Sequence, residues 1–277
     1  MAIELWLEED RKALRLTAEM KAEAARMPRG EARYLVDAYY QVQHYRIASE
    51  NQGRMNDQGR DEPPTAVIGW LTGHMGRIED RIRSLLLAYA EAQEVGAWSL
   101  SICGIGPVIA AGLLAHIDIT RAPTVGHIWR FAGLDPTQEW GKGEKRPWNA
   151  RLKTLCWKIG ESFVKVSGNK ADFYGHLYAQ RKLLEQERNE AGAFAGQAAA
   201  TLSKKRYGED TKAREFYERG QLPPAHIHER AKRPAVKLFL SHWHEVAYES
   251  AFGQAPPKPF VLEHLGHVSR IEVPNWR

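Results

Sequence analysis

Two glycines bracket a single isoleucine in Gly104-Ile105-Gly106, and Pro107 follows them directly. Glycine accepts positive φ angles and leaves its backbone N–H groups open, so such a turn can approach a phosphate oxygen closely. Proline suits the first turn of a helix, whose N-terminal end also attracts anions. The pattern predicts a helix-hairpin-helix within residues 100–115 that grips DNA phosphates, with Ile105 packed into the core. The alternative is a tight turn between two packed helices with no ligand.

A second candidate for chemistry lies between residues 142 and 158, where six cations face the single acid Glu144. They are Lys142, Lys145, Arg146, Arg151, Lys153 and Lys158. Trp140, Trp148 and Trp157 are interleaved with them. Cations bind phosphates, and exposed indoles stack on unpaired bases. Trp140 and Trp148 are assigned to stacking, with core packing as their alternative, whereas Trp157 is predicted to be a core residue in mid-helix.

The sequence thus assigns DNA binding to two groups of residues, the hairpin and the basic stretch. The predicted set is Gly104, Ile105, Gly106, Lys142, Lys145, Arg146, Trp148, Arg151 and Lys153. Clusters at 204–206 and 230–237 form a second basic face that either follows a duplex or is simply solvated. Because phosphate contact carries no base information, binding should be salt-sensitive and weakly selective for sequence.

Four histidines occur as two i, i+2 pairs, which invites a metal interpretation. They are His226, His228, His242 and His244. On a helix, residues two apart point in different directions, and ligands on one face need i, i+4 spacing. We therefore expect polar surface or hydrogen-bonded core histidines, no metal site and no cofactor.

The elements that must position these residues are helical. Apolar periodicity predicts helices over residues 3–27, 31–49, 64–95, 149–166, 173–190 and 224–250, with Pro234 kinking or splitting the last one. The fold class is therefore mainly α: an N-terminal helical hairpin (1–62), a helical arm (64–97), a helix-hairpin-helix domain (98–252) and an extended proline-rich tail (253–277). The arm is suited either to a homodimeric coiled coil or to an intrachain bundle. In the tail, residues 260–262 and 268–273 form short strands or a strap over the helices.

Composition narrows the function classes. A net charge of +5 and a hydrophobic content of 43% indicate a globular protein whose partner is an acidic polymer, DNA or RNA. No apolar run approaches the length of about 20 residues that spans a membrane, so we expect a cytoplasmic protein. Cys103 and Cys156 sit among apolar neighbours, which favours small buried thiols over a disulfide.

Three segments together resemble a known family. They are Cys103-Gly104-Ile105-Gly106-Pro107, the segment Leu113-Leu114-Ala115-His116-Ile117-Asp118-Ile119 and the segment Phe131-Ala132-Gly133-Leu134-Asp135-Pro136. Their order and spacing are similar to the C-terminal domain of the insertion sequence 110 family of transposases, over residues 68–250. That family joins an N-terminal DEDD nuclease domain to this helical domain through a coiled coil, and its members are RNA-guided recombinases.

Two departures from the family pattern bear on catalysis. The residues before Ile68 are too few and too helical for the nuclease domain, and Trp140 stands where the resemblance implies the nucleophilic serine. An indole forms no covalent link to a phosphodiester, and Thr137 carries the nearest hydroxyl. We therefore expect a DNA-binding protein that is not catalytic on its own. The alternatives are a recombinase that uses Thr137 or a partner nuclease, and a protein-interaction scaffold.

Overall fold

A computed structural model describes residues 15–57, 66–208, 210–257 and 271–276. Within these ranges every regular element is a helix and no strand occurs, which confirms the mainly α prediction. The described residues form two compact units: those of unit 1 lie within residues 1–101 and 106–118, and those of unit 2 lie within residues 102–105 and 119–277. The four-segment division expected from the sequence stays a prediction.

Unit 1 contains five helices in its described part. They are α1 (Ala18–Ala24), α2 (Arg29–Asp57), α3 (Ala66–Glu91), α4 (Glu94–Ser101) and α5 (Pro107–His116). The long helices α2 and α3 pack against each other, and α5 packs against both. Leu86, Ala90 and Leu113 are fully buried in this unit. Arg46 of α2 forms an ion pair with the buried Glu79 of α3. The predicted arm helix therefore packs within its own chain.

Three predicted boundaries in unit 1 are wrong. The helix predicted over residues 3–27 begins at Ala18 in the described part, where Thr17 caps it and residues 15–17 are not helical. Helix α2 continues through Gly53 to Asp57 instead of ending near residue 49, because a single glycine inside a helix costs only about 1 kcal/mol and does not by itself end it. The predicted helix over 64–95 breaks after Glu91 and restarts at Glu94. Gly96 explains the break, since a Cβ there would lie 2.1 Å from the carbonyl oxygen of Ala90. Only glycine lets the backbone of α4 lie this close to the last turn of α3.

Unit 2 is built around one long helix. Its elements are a 3-10 turn (Ile119–Arg121), α6 (Val125–Phe131), α7 (Ala150–Val166), α8 (Tyr174–Glu190), α9 (Ala195–Lys204), α10 (Lys212–Glu218) and α11 (Pro224–Phe252). Helix α11 packs against α6, α7 and α8. The rings of Phe163 and Tyr174 stack at 4.9 Å, and Phe239 meets Phe163 edge-on at 5.5 Å. This aromatic core fixes α7, the helix that carries the basic stretch.

Helix α11 runs through Pro234 as a single element, so the predicted split does not occur. Pro234 itself is exposed, whereas Ala231, Ala235 and Val236 around it are buried. Burial on both sides of the proline offsets the loss of one backbone hydrogen bond. The helix ends at Gly253, whose φ of 67° closes it in the left-handed conformation.

Residues 271–276 lie along α11. The carbonyl oxygen of Ile271 is 3.0 Å from Nε2 of the buried His242, and Trp276 Nε1 donates to Glu249 at 2.8 Å. The proposed strands at 260–262 and 268–270 lie outside the described residues, and 271–273 are not a strand. Among the described helices, none is both long and apolar enough to cross a bilayer.

Candidate nucleic-acid interface

The loop that follows α6 begins with a glycine that no other residue replaces easily. Gly133 has a φ of 66°, and its N–H donates to the Arg130 carbonyl at 3.1 Å. The N–H of Leu134 donates to the Trp129 carbonyl at 2.8 Å, which completes a Schellman ending of the helix. The loop closes where Asn149 N donates to the Phe131 carbonyl at 2.9 Å. The loop of residues 133–148 therefore begins and ends close together, next to the start of α7.

Glu144 stabilises the loop through hydrogen bonds to other loop residues. Its carboxylate accepts a hydrogen bond from Gly141 N at 2.9 Å, and its carbonyl accepts one from Trp140 Nε1 at 2.8 Å. Gly143 permits the turn with a φ of 90°. Glu144, the one acid of the basic stretch, thus stabilises the backbone of the loop. Among the described residues it forms no ion pair with a neighbouring cation.

Indole rings hold two of the cations. The Arg146 guanidinium carbon lies 5.1 Å from the Trp140 ring centroid, and the Lys153 ammonium lies 4.1 Å from that of Trp148. The two rings meet edge-on at 6.0 Å. Such cation–π contacts orient flexible side chains without neutralising their charge. Because Trp148 also contacts Gly133, it is half-buried and positions Lys153.

These groups line one open cavity of about 430 Å³ on unit 2. Its walls are Trp140, Arg146, Trp148, Ala150, Lys153, Thr154 and Trp157. The last four lie on α7 at helical spacing, on the face opposite the buried Leu152, Leu155, Cys156 and Ile159. The cavity is therefore formed by the loop on one side and a single helix face on the other.

The prediction that Trp157 is a core residue is wrong. It is 52% exposed and lines the cavity, because the apolar stripe of α7 turns the opposite face inward. The signal was present in the sequence: residues 150, 153, 154 and 157 share the i, i+3, i+4, i+7 relationship. The lining residues absent from the predicted set were Trp140, Ala150, Thr154 and Trp157.

The electrostatics of the site are strongly positive. Burial first, and then the charges of Arg146 and Arg233, lower the pKa of Lys153. Among the described residues, no carboxylate forms an ion pair with these three cations. Lys237 extends the cluster: its ammonium lies 4.0 Å from the Trp129 ring centroid, and burial lowers its pKa against the opposing effect of Asp135. A cluster of this kind is stabilised by an anionic partner.

The structure brings together some of the predicted DNA-binding residues. Arg146, Trp148 and Lys153 line the cavity. Lys142 and Lys145 are exposed on the same loop, and Arg151 is exposed in the first turn of α7, where Asn149 caps the helix. These three do not line the cavity, although they add charge around it.

The predicted hairpin has the expected local geometry. Gly104 has a φ of 91°, Ile105 is 5% exposed, and Ile105 N donates to the Ile102 carbonyl at 2.9 Å. The Gly104 carbonyl accepts a hydrogen bond from Ser162, and a Cβ at Gly104 would lie 3.1 Å from a Val166 methyl. Gly104 is therefore needed for contact with α7, in line with the tight-turn alternative.

Gly106 differs from Gly104. It is the N-cap of α5 with a φ of −95°, it makes no side-chain cap, and a Cβ built on it would meet nothing within 4 Å. Pro107 occupies the first position of the helix as predicted. The space beside the Gly106 Cα is therefore open, so a ligand can approach the hairpin backbone at this glycine.

Thr137 is held by its neighbour. Its backbone N–H and its hydroxyl both donate to Asp135 Oδ1, at 2.9 and 2.7 Å. These two hydrogen bonds lower the pKa of Asp135. A carboxylate with a lowered pKa is a weaker general base, which leaves the hydroxyl poorly activated.

The histidines pair with hydrogen-bond partners on the described residues. His242 contacts the Tyr174 hydroxyl at 2.7 Å, and His244 Nε2 lies 2.8 Å from the Ala122 carbonyl oxygen. Near His228, the carboxylates of Glu161 and Glu229 could offer metal ligands. The Lys232 ammonium contacts both carboxylates, at 2.5 Å for Glu229, and so already supplies the counter-charge.

The thiols are not disulfide-bonded. Cys103 and Cys156 are both free, and Cys156 is buried with 1% of its surface exposed. Burial raises the pKa of Cys156 to about 12. A thiol that stays protonated at neutral pH fits the predicted structural role.

A family model matches the region that contains the candidate interface. Residues 99–160 match the family model described as Transposase IS116/IS110/IS902 family. The matched stretch contains the hairpin turn, the 133–148 loop and most of α7, which are the elements described above. No curated protein and no solved structure matches the chain. The match supports a transposase-related function.

Proposed function

We propose that this chain binds DNA through the positive cluster at the 133–148 loop and α7, and that it is not catalytic on its own. The observation that carries the proposal is that Arg146 and Arg233 both lie close enough to Lys153 to lower its pKa, and that these three cations have no carboxylate partners among the described residues. Like charges held together are favourable only when an anion neutralises them. The transposase match covers Arg146 and Lys153 and indicates DNA as that anion.

The arrangement supports contact with the phosphate backbone more than base recognition. Trp140 and Trp148 fix the direction of Arg146 and Lys153, so less side-chain entropy is lost when phosphates bind. Lys142 and Lys145 on the same exposed loop can follow the next phosphates. Contacts of this kind give salt-sensitive binding with little sequence preference.

The catalytic alternative would use Thr137. Its hydroxyl donates to Asp135, whose lowered pKa makes it a weak base, and Trp140 supplies no nucleophile. We therefore expect neither nicks nor a covalent protein–DNA adduct when the chain is incubated with supercoiled DNA and Mg²⁺ and analysed on denaturing gels. An adduct that disappears in a Thr137→Val variant would establish the recombinase instead.

The test of DNA binding is fluorescence anisotropy with a labelled duplex at several salt concentrations. The Arg146→Gln, Lys153→Gln double variant should bind more weakly, and its slope of log K against log salt should fall by roughly 0.9 for each phosphate that is no longer neutralised. The variant removes only exposed or cavity-lining charges, so the fold should be retained.

Lys170→Gln is the matched control. Lys170 is exposed in the turn after α7, whose last residue, Val166, lies about 20 Å along the helix from Lys153. It removes a lysine charge from unit 2 away from the cavity, so its salt slope should stay near that of the wild type. Equal decreases in binding free energy per removed charge for the control and the double variant would show that net charge alone drives binding, and no decrease in either would refute the proposed site.

A further inference from the structure

Three indoles line the cavity on unit 2, those of Trp140, Trp148 and Trp157, and Trp157 is the most exposed of them. Trp148 has Lys153 over its ring and Gly133 against it, and Trp140 has Arg146 over its ring. Trp157 lines the same cavity with 52% of its surface exposed. Trp140 is 44% exposed and Trp148 is half-buried, so Trp157 offers the largest exposed fraction of the three indoles to a ligand.

Trp157 is held in place from the protein interior. The Lys232 ammonium lies 5.5 Å from the centroid of its ring, and Lys232 is itself 4% exposed. Glu161 and Glu229 fix that ammonium through ion pairs. A large apolar side chain kept exposed on a rigid helix is unfavourable in water, and a stacked ligand relieves that exposure.

The cavity has the size and charge of a nucleotide site. Its volume of about 430 Å³ falls within the range of about 300–1,000 Å³ that is usual for small-ligand pockets. Arg146 and Lys153 line its wall beside Trp157, so a phosphate and an attached base can be held together. An acidic peptide would neutralise the cations but would offer no base to stack on the exposed Trp157 ring.

We infer that this cavity holds one unpaired nucleotide of a DNA strand, with its base stacked on Trp157 and its phosphate between Arg146 and Lys153. The inference rests on the proposed function and specifies its substrate: gapped, bulged or branched DNA in preference to a continuous duplex. A paired base inside a duplex cannot reach the indole unless it is flipped out, which requires unstacking and unpairing.

The experiment compares Trp157→Ala and Trp157→Phe with wild type on three DNAs of equal length: a duplex, the same duplex with one bulged base, and the single strand. Trp157→Ala should lower affinity for the bulged and single-stranded DNAs by about 5- to 150-fold and leave duplex binding within about twofold. Trp157→Phe keeps an aromatic ring and should recover most of the affinity.

Trp70→Ala is the matched control, because Trp70 is a tryptophan of similar exposure, 58%, on α3 of unit 1. It should change none of the three affinities. Far-UV circular dichroism and thermal unfolding of each variant check that the fold is intact.

The outcomes separate the two hypotheses. If Trp157→Ala leaves all affinities unchanged while Arg146→Gln, Lys153→Gln weakens duplex binding, the unpaired-nucleotide site is refuted and DNA binding stands. If neither variant affects any DNA, both are refuted. A Trp157→Ala decrease in affinity for single-stranded RNA but not for single-stranded DNA also refutes the inference.

Discussion

Gly133 and Trp148 are in direct contact: a Cβ built on Gly133 would lie 2.8 Å from Trp148 Cγ. The contact links the end of α6 to the residue that positions Lys153. Since Gly133 also has a φ of 66°, both the backbone conformation and the space at this point require glycine. The Gly-Leu-Asp-Pro segment therefore shapes the cation site from a distance, without contacting a ligand.

Gly133→Ala should destabilise the protein by about 2–3 kcal/mol, because strained φ and steric overlap add together. It should also weaken DNA binding by displacing Trp148. Chemical denaturation measures the first effect and anisotropy measures the second.

Gly143→Ala is the control for the part of the destabilisation that comes from backbone strain alone. Gly143 has a φ of 90°, but a Cβ there meets nothing within 4 Å, so only about 1 kcal/mol of strain is expected. Equal destabilisation by the two substitutions would show that the Trp148 contact is not important for the loop.

The hairpin is tested best at Gly106, since a substitution at Gly104 would disturb its contact with α7. Gly106→Asp places a carboxylate at the N-cap of α5, where it can accept a helix N–H, so stability should be maintained. If a phosphate approaches this backbone, the added charge should reduce duplex affinity roughly tenfold, equivalent to about 1.4 kcal/mol of repulsion.

Gly106→Ser separates charge from size at the same position. Serine also caps helices but carries no charge, so its duplex affinity should remain near the wild-type value. Equal affinities for the Asp and Ser variants would mean that the hairpin is a structural turn. In that case the 133–148 loop and α7 would form the interface by themselves.

The sequence predicted what depends on local pattern. The stripe of Leu152, Leu155, Ile159 and Phe163 defined α7 and its bounds within one residue. The same stripe places Trp157 on the outer face of α7. The prediction that Trp157 is a core residue was wrong because it followed the usual burial of tryptophan and not the periodicity of the helix.

Contacts between distant residues were not predictable in this way. The break between α3 and α4 depends on how closely Gly96 approaches Ala90, and the loop cavity depends on Trp148 meeting Gly133. Arg233, far along the chain, affects Lys153 only because α11 packs against α7. A single sequence with its periodicity carries no record of such pairings.

DNA binding should weaken with rising pH through Lys153. Its pKa is lowered by burial and by Arg146 and Arg233, and a bound phosphate favours the ammonium, so binding takes up a proton. Below the lowered pKa the ammonium is already present and affinity is flat. Affinity falls as the pH rises through the lowered pKa of Lys153, which lies below the ordinary lysine pKa of about 10.4.

Lys153→Arg should flatten that alkaline decline, because a guanidinium stays charged throughout the range. Lys170→Arg, away from the cavity, should leave the decline as in the wild type. Anisotropy titrations at each pH, kept below the range in which DNA bases titrate, measure the difference. A wild-type decline that persists in Lys153→Arg would assign it to another group.

Glu185 on α8 is a buried acid that joins three arginines. It is 1% exposed, Arg181 lies 2.5 Å from it, Arg230 of α11 lies 3.0 Å and Arg188 lies 3.6 Å. Burial acts to raise the pKa of Glu185, but the hydrogen bond and charge of Arg230, with the charges of the other two arginines, outweigh it and lower the pKa. Removing the carboxylate leaves three cations facing one another.

Glu185→Gln should therefore reduce the free energy of unfolding by about 2 kcal/mol at neutral pH. A lowered carboxyl pKa stabilises the folded state above the unfolded value of about 4.3, and the stabilisation disappears as the pH falls through the folded pKa. The difference between wild type and variant should accordingly shrink in acid. Glu215→Gln, which breaks the exposed Glu215–Arg219 pair, should change stability by less than about 1 kcal/mol. A difference for Glu185→Gln that stays constant into acid would show that the carboxylate's charge is not what stabilises the fold.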